Sequence, residues 1–301
     1  MNLRPLSLDD RLFVTEHLRQ FPPEISELTF TNLYAWRHTR PIWIGEFGAS
    51  LIIFAETPMG LVILGNPLGP VPLVEIFKEF GDRITGAERF PKEKIANISL
   101  PFGAMVIEDR DNGDYVYRRA DLATLAGGNF TKKRNHINQC LAAYNCRYEI
   151  ITAATIPECL AMQDRWCAAR DCKDEPGLCG EYQAIEETLQ HYMEFGLTGC
   201  AIRIEGIIEA FTIGEALNQT TAVCHFEKAM PQFQGLGQLI NQWFAKKNLA
   251  AFTYVNREQD LGIPGLRRAK ESYSPDHLVE KVRIVLPGSS RERLEGQQVC
   301  K

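Results

Sequence analysis

Apolar positions in the second half of the chain fall into short runs with two distinct periods. Residues 146–151 (CRYEII) read as a strand. Thr155-Ile156-Pro157-Glu158 marks a helix start: Thr155 caps, Pro157 sits in the first turn and Glu158 completes a capping box. That helix is predicted to run to about Ala169. A second is predicted from about Glu181, with Tyr182, Ile185, Leu189, Tyr192 and Met193 on one face and Gly196 where a C-terminal cap belongs. Three strands follow, 201–204, 207–214 and 222–229, joined by short turns at Glu205-Gly206 and Asn218-Gln219, which is the pattern of antiparallel hairpins. Leu236, Leu239, Ile240, Trp243 and Phe244 then line a single helical face. A strand over 251–256, a short helix over 265–273 and a closing strand over 278–286 complete the half.

The order β-α-α-β-β-β-α-β-α-β resembles the GNAT fold, the architecture of the acyl-CoA N-acyltransferases. The first half echoes it, with helices predicted over 8–20, 26–36 and 71–80 and strands over 42–46, 51–55, 61–64 and 104–109. A helix over 132–144 is read as joining the halves. The expected fold class is therefore α+β with mixed sheets, in tandem GNAT-like domains: 1–140, a degenerate copy, and 141–301, which carries the phosphate loop.

Composition narrows the class. The chain has 301 residues, 45% hydrophobic and 24% charged, with a formal charge of −5. Such a balance is ordinary for a globular chain and excludes collagen-like and disordered readings. An acidic total also argues against coating nucleic acid through net charge, though it leaves room for a local anion site. No run reaches the roughly 18 apolar residues of a membrane helix, and Asp9 and Asp10 stand where a signal peptide would be apolar, so a cytoplasmic protein is expected. The nine cysteines include no CxxC pair, which fits reduced thiols. Cys167, Cys172 and Cys179 match no zinc spacing and the histidines do not cluster, so no metal is expected. GxSxG, HExxH, Walker and complete GxGxxG motifs are absent.

Four segments can carry chemistry. Gln232-Phe233-Gln234-Gly235-Leu236-Gly237, followed by Gln238, lies between a strand and an amphipathic helix. A helix N-terminus offers unpaired N–H groups, and glycines let the backbone approach a phosphate. The pattern [RQ]-x-x-G-x-[GA] resembles the pyrophosphate loop of GNAT enzymes; a plain strand-to-helix turn needs glycine too. Second, two helices open with cations, Lys132-Lys133-Arg134-Asn135-His136 and Leu266-Arg267-Arg268-Ala269-Lys270, against the helix dipole. Either an anion compensates them or they form a solvated basic face. Third, simple alternation over 223–228 sets His225 and Glu227 on one face and Lys228 on the other. Glu227 or His225 can accept a proton from an attacking amine or hydroxyl, or the two form an internal pair. Fourth, Asn256-Arg257-Glu258-Gln259-Asp260-Leu261-Gly262 follows a strand, where ligands of open α/β sheets often sit. Arg257 can clamp a carboxylate or phosphate, or pair with Asp260 to fix a turn.

These residues resemble the C-terminal domain family of phosphatidylglycerol lysyltransferase. The resemblance runs from Phe30-Thr31-Asn32-Leu33-Tyr34-Ala35-Trp36 to about Tyr273-Ser274-Pro275, through Asp114-Tyr115-Val116-Tyr117, Lys132 to Asn138, Glu209 to Glu215, His225 to Ala229, Asn256 to Gly262 and Gly265 to Lys270. It points to a soluble, stand-alone branch, and implies tandem GNAT-like domains that transfer an acyl or aminoacyl group. In membrane-bound relatives the donor is aminoacyl-tRNA and the acceptor a phosphatidylglycerol hydroxyl. This sequence shows no membrane-spanning region, which leaves lipid acceptor and lysyl donor open. The expected reaction uses a phosphate-bearing donor, aminoacyl-tRNA or acyl-CoA, docked at Gln232, Gly235, Leu236, Gly237 and Gln238, with no tightly bound cofactor. Glu227 or His225 assists the nucleophile of a small-molecule or lipid head-group acceptor. Arg257, Asp260, Arg267 and Lys270 line the substrate, and Lys133 and His136 are expected to reach the same cleft across the domain boundary. The alternatives are an acyl-CoA N-acyltransferase acting on a small amine and a non-catalytic ligand-binding module.

Overall fold

The computed structural model describes residues 3–169 and 176–289. In chain order its elements are β1 (Arg4–Pro5), α1 (Arg11–Gln20), α2 (Phe30–Ala35), β2 (Ile42–Phe47), β3 (Ser50–Thr57), β4 (Gly60–Leu64), α3 (Leu73–Phe80), β5 (Ile84–Pro91), β6 (Met105–Glu108), β7 (Asp114–Arg118), α4 (Arg119–Thr124), α5 (Thr131–Ala143), β8 (Arg147–Ile150), α6 (Ile156–Ala168), α7 (Pro176–Gln190), β9 (Thr198–Ile204), β10 (Ile207–Ala216), β11 (Thr221–Ala229), α8 (Leu236–Trp243), β12 (Tyr254–Asn256), α9 (Pro264–Glu271), β13 (His277–Val279) and β14 (Lys281–Val285). Helix α7 begins before the predicted Glu181; Cys172 lies outside the described residues. Three strands, β5, β7 and the two-residue β1, were hidden in the sequence pattern. Glu88 and Arg89 interrupt the apolar run of β5, and β7 is only five residues long.

The chain forms two compact units, one of Met1–Asp114, Gln259–Gly262 and Val279–Lys301, the other of Tyr115–Glu258 and Ile263–Leu278. Each holds one seven-stranded sheet, ordered β1-β2-β3-β4-β5-β14-β6 in the first and β13-β7-β12-β11-β10-β9-β8 in the second. The pairing repeats. In the first, β1 to β4 are antiparallel neighbours, β4–β5 is parallel and β5–β14 antiparallel. In the second, β8 to β11 are antiparallel, β11–β12 is parallel and β12–β7 antiparallel. The fold is thus a duplicated mixed α+β scheme, the tandem GNAT-like arrangement.

The expected division near residue 140 differs from this partition. Helix α5 does not bridge two halves: its Ile137 and Cys140 sit in one core with Leu236, Leu239 and Ile240 of α8. Lys133 and His136 therefore belong to the second unit, not to an N-terminal domain. The predicted closing strand over 278–286 is also corrected. It breaks at Glu280, leaving β13 in the second sheet while β14 enters the first between β5 and β6. Val282 and Ile284 drive that insertion by burying with Phe54, Phe77, Phe80 and Phe90. Gly86 permits it, because a Cβ there would overlap the Ile284 carbonyl oxygen.

The first unit also buries an ion cluster. Lys281 donates to Glu27 and Asp114 at 2.6 Å each, and Ser26 donates to Asp114 through its N–H (2.7 Å) and hydroxyl (3.0 Å). Lys281 and Asp114 are fully enclosed.

Candidate active site

The site grows out of an irregularity in the second sheet. Strand β12 pairs with β11 only from Thr221 to Val223, while β11 runs on to Ala229. On its other edge β11 carries a bulge: Cys224 lies opposite Gly214 and Phe226 opposite Ile213, so His225 is the extra residue. The bulge breaks the simple alternation. Glu227, opposite Thr212, takes the face of Cys224 and helix α8, while His225 turns to Glu215 on the other face. The single face expected for His225 and Glu227 is corrected accordingly.

Glu227 is half-buried and held by two donors. Arg257 Nη2 donates to one carboxylate oxygen at 3.0 Å and Asn241 Nδ2 to the other at 2.8 Å. Arg257 lies 4.9 Å from the Tyr273 ring centroid and 5.6 Å from that of Tyr117. Burial disfavours its charge, but Glu227 and the two phenol groups outweigh burial and push its pKa above the ordinary arginine value. Burial also raises both phenols, which stay protonated. Arg257 Nη1 and Asn241 Oδ1 are buried with no partner among the described residues. An unpaired buried donor and acceptor beside one carboxylate cost free energy unless a ligand or water meets them.

Other cations gather here. The Lys133 ammonium donates to the Ser272 carbonyl and stands 4.3 Å over the Tyr273 ring; burial, then Arg257, lowers its pKa. Lys270 donates to the carbonyls of Arg257 and Glu258, and the Tyr117 hydroxyl donates to the Lys270 carbonyl at 2.8 Å. Lys270 thereby fixes the loop that carries Arg257. Arg267 is half-exposed on the same helix α9.

His225 is buried between two carboxylates, 2.9 Å from Glu215 through Nε2 and 3.0 Å from Glu258 through Nδ1. Burial opposes its charge, yet the two carboxylates prevail and push its pKa up to about 9. An imidazolium at neutral pH has no lone pair to offer a proton, so His225 acts as a clamp joining β10, β11 and the loop after β12. Asp260 lies elsewhere, in the first unit. It is fully buried, accepts from the Gly262 N–H at 2.8 Å and faces Arg110 at 3.3 Å. No Arg257–Asp260 pair forms, because Arg257 pairs with Glu227.

The loop before α8 combines a packing need with open donors. Gly235 has φ +88°, and a Cβ there would overlap the His136 carbonyl and crowd Cys140. That glycine is required by the approach of α5, so His136 contributes its backbone. Gly237 is different, since a Cβ there would find only Ala229, at 3.9 Å. Leu236 N–H donates to the Phe233 carbonyl, and its side chain is core. The N–H groups of Gly237 and Gln238 meet no acceptor among the described residues. Gln232 is exposed and Gln238 half-exposed.

Sequence reasoning missed Asn241, Tyr117, Tyr273 and Glu215 as members of this cluster. Asn241 carried one signal: an amide within an apolar helix is unfavourable unless it has a partner.

With that geometry in place, the comparisons are specific. The model of the family described as phosphatidylglycerol lysyltransferase, C-terminal, matches residues 18–284. The chain belongs to that family. It is similar to a conserved protein of unknown function from Bacteroides thetaiotaomicron, with 32% identity, TM-score 0.88, 95% of this chain and 99% of that one covered. L-PGS from Bacillus licheniformis shares the fold at 16% identity and TM-score 0.64, with 93% of each chain covered. No curated protein matches. Membership relates the chain to acyl- and aminoacyltransferases of GNAT-like fold. Among the described residues no helix is long and apolar enough to cross a membrane.

Proposed function

We propose that this chain transfers an activated acyl or aminoacyl group to an amine or hydroxyl acceptor, with Glu227 as the base. One observation carries this reading: Glu227 is held by Arg257 and Asn241 on the stretch of β11 that β12 leaves unpaired. In the proposed step the acceptor N–H or O–H gives its proton to Glu227 as its heteroatom bonds to the donor carbonyl carbon. The bond to the donor's sulfur or oxygen then breaks and that atom leaves, taking up the proton that Glu227 holds and returning the carboxylate to its ionised form. The free N–H groups of Gly237 and Gln238, with the α8 dipole, receive a phosphate of the donor. Arg257 Nη1 binds an anionic or carbonyl oxygen, Lys133 and Arg267 add positive charge, and Lys270 keeps Arg257 in place. His225 has a positioning role.

The donor is an acyl-CoA or an aminoacyl-tRNA, and the two separate by salt. Many phosphate contacts make affinity fall steeply as salt rises, and a single diphosphate does so only mildly. The test is transfer from a radiolabelled donor pool by Glu227→Gln. Turnover is expected to fall by about 10²-fold or more while donor binding persists. Unchanged turnover would remove Glu227 from the chemistry.

A further inference from the structure

Two arginines of the first unit carry donors with no acceptor to meet them. Guanidinium groups taken out of water are ordinarily held by carboxylates or carbonyls, because an unpaired buried N–H costs free energy. Arg40 is half-buried between α2 and β2. Its backbone N–H bonds to the Trp36 carbonyl, but its guanidinium has no hydrogen bond or ion pair among the described residues. Its Nε is sealed from solvent; its terminal nitrogens are not. Arg89, half-buried on β5, faces Glu27 at 3.6 Å, which is too long for a hydrogen bond, and makes none among the described residues. Glu27 has little left to offer, since it accepts from Lys281 at 2.6 Å and from Gln259 at 2.8 Å.

An irregularity of the sheet sets Arg89 in this place. Ala87 pairs with Ile284 and Phe90 with Val282, so Glu88 and Arg89 together stand opposite Arg283. Arg89 takes φ +54°, a conformation that residues with a β-carbon rarely adopt. A bulge re-aims a side chain, and strain of this kind gathers at ligand sites. Burial, then the like charge of Arg89, lowers the Arg40 pKa, and Glu27 and Glu88 offset only part of that. Arginine keeps its proton in proteins, so both positive charges persist.

We propose that Arg40 and Arg89 form a binding site for the carboxylate of a small molecule. A guanidinium presents two N–H groups in one plane, which match the two oxygens of a carboxylate. A monoanion fits better than a phosphate, whose second charge Glu27 and Glu88 would repel. No residue of the reaction proposed above takes part, so the inference does not depend on that reading.

The test is thermal unfolding and calorimetry of the full chain with sodium acetate, against sodium chloride at equal ionic strength. Acetate is expected to raise the melting temperature, as a ligand of the folded state does. Arg40→Gln and Arg89→Gln should each weaken acetate binding about tenfold or more. Arg40→Lys should lose nearly as much, because an ammonium keeps the charge but not the planar fork. Without acetate, Arg40→Gln should melt no lower than the parent, since it relieves a repulsion and breaks no hydrogen bond. An arginine with a purely structural role would give a lower melting temperature in that variant, and this result overturns the proposal. So does acetate acting no differently from chloride, an acetate effect that survives in both Gln variants, or full binding by Arg40→Lys. Inorganic phosphate that binds at these two arginines more tightly than acetate would likewise overturn the assignment to a carboxylate.

Discussion

At the scale of single residues, the site turns on which of two neighbouring side chains can take a proton. His225 and Glu227 look equivalent by type and spacing. Their surroundings separate them, with two carboxylates on the imidazole and two donors on the carboxylate. The histidine has a consequence for stability. Its pKa is raised from the ordinary 6.5 to about 9, so the folded state binds this proton more tightly than the unfolded state. The stabilisation it supplies is complete below about pH 6.5 and fades as pH rises through about 9. Denaturant titrations of the parent and His225→Gln should therefore differ most below pH 6.5 and converge above 9. A gap that is constant with pH would show that the imidazole is not charged in the fold.

At the scale of elements, the loop before α8 divides its glycines between packing and binding. Gly235→Ala forces a left-handed backbone on a β-carbon that also collides with the His136 carbonyl, and is expected to cost about 2 kcal/mol or more. The Cβ of Gly237→Asp meets only ordinary contact with Ala229, so the variant's melting temperature should stay near that of the parent. Its carboxylate would occupy the free N–H groups and repel a phosphate, so donor binding measured by calorimetry should fall at least about tenfold. Retained affinity in Gly237→Asp would show that phosphates dock somewhere else. The bulge in β11 works at this scale too. One extra residue sends Glu227 to the α8 face, where Asn241 can reach it.

At the scale of the whole molecule, the first unit is completed by a strand from the far end of the sequence. Strand β14 enters the first sheet carrying Lys281, whose ammonium bonds both Glu27 and Asp114 in the interior. Lys281→Ala removes the ammonium shared by two buried carboxylates and should destabilise by about 3–5 kcal/mol. Chemical denaturation reads this as an earlier transition, and an unchanged midpoint would mean that water reaches the cluster. A chain ending after Val279 lacks the strand between β5 and β6 as well, so the first unit should not fold from it.

Much of this was legible from local pattern. The helices α5, α6, α8 and α9, the hairpins β9-β10-β11 and the loop at 232–238 follow from periodicity, capping residues and turn residues, which act within a few positions of the chain. The family followed from the same segments. Beyond that reach lay the partition of strands, since β7 and β14 join sheets far away in sequence and nothing within either names its partner. The partners of Arg257, the bulge that divides His225 from Glu227, and the enclosure of Asn241 also depended on residues 10 to 33 positions away. Local order is written in the spacing of neighbours; proton affinities and charge pairing arise from which distant groups share a low-dielectric space, and only folding brings those together.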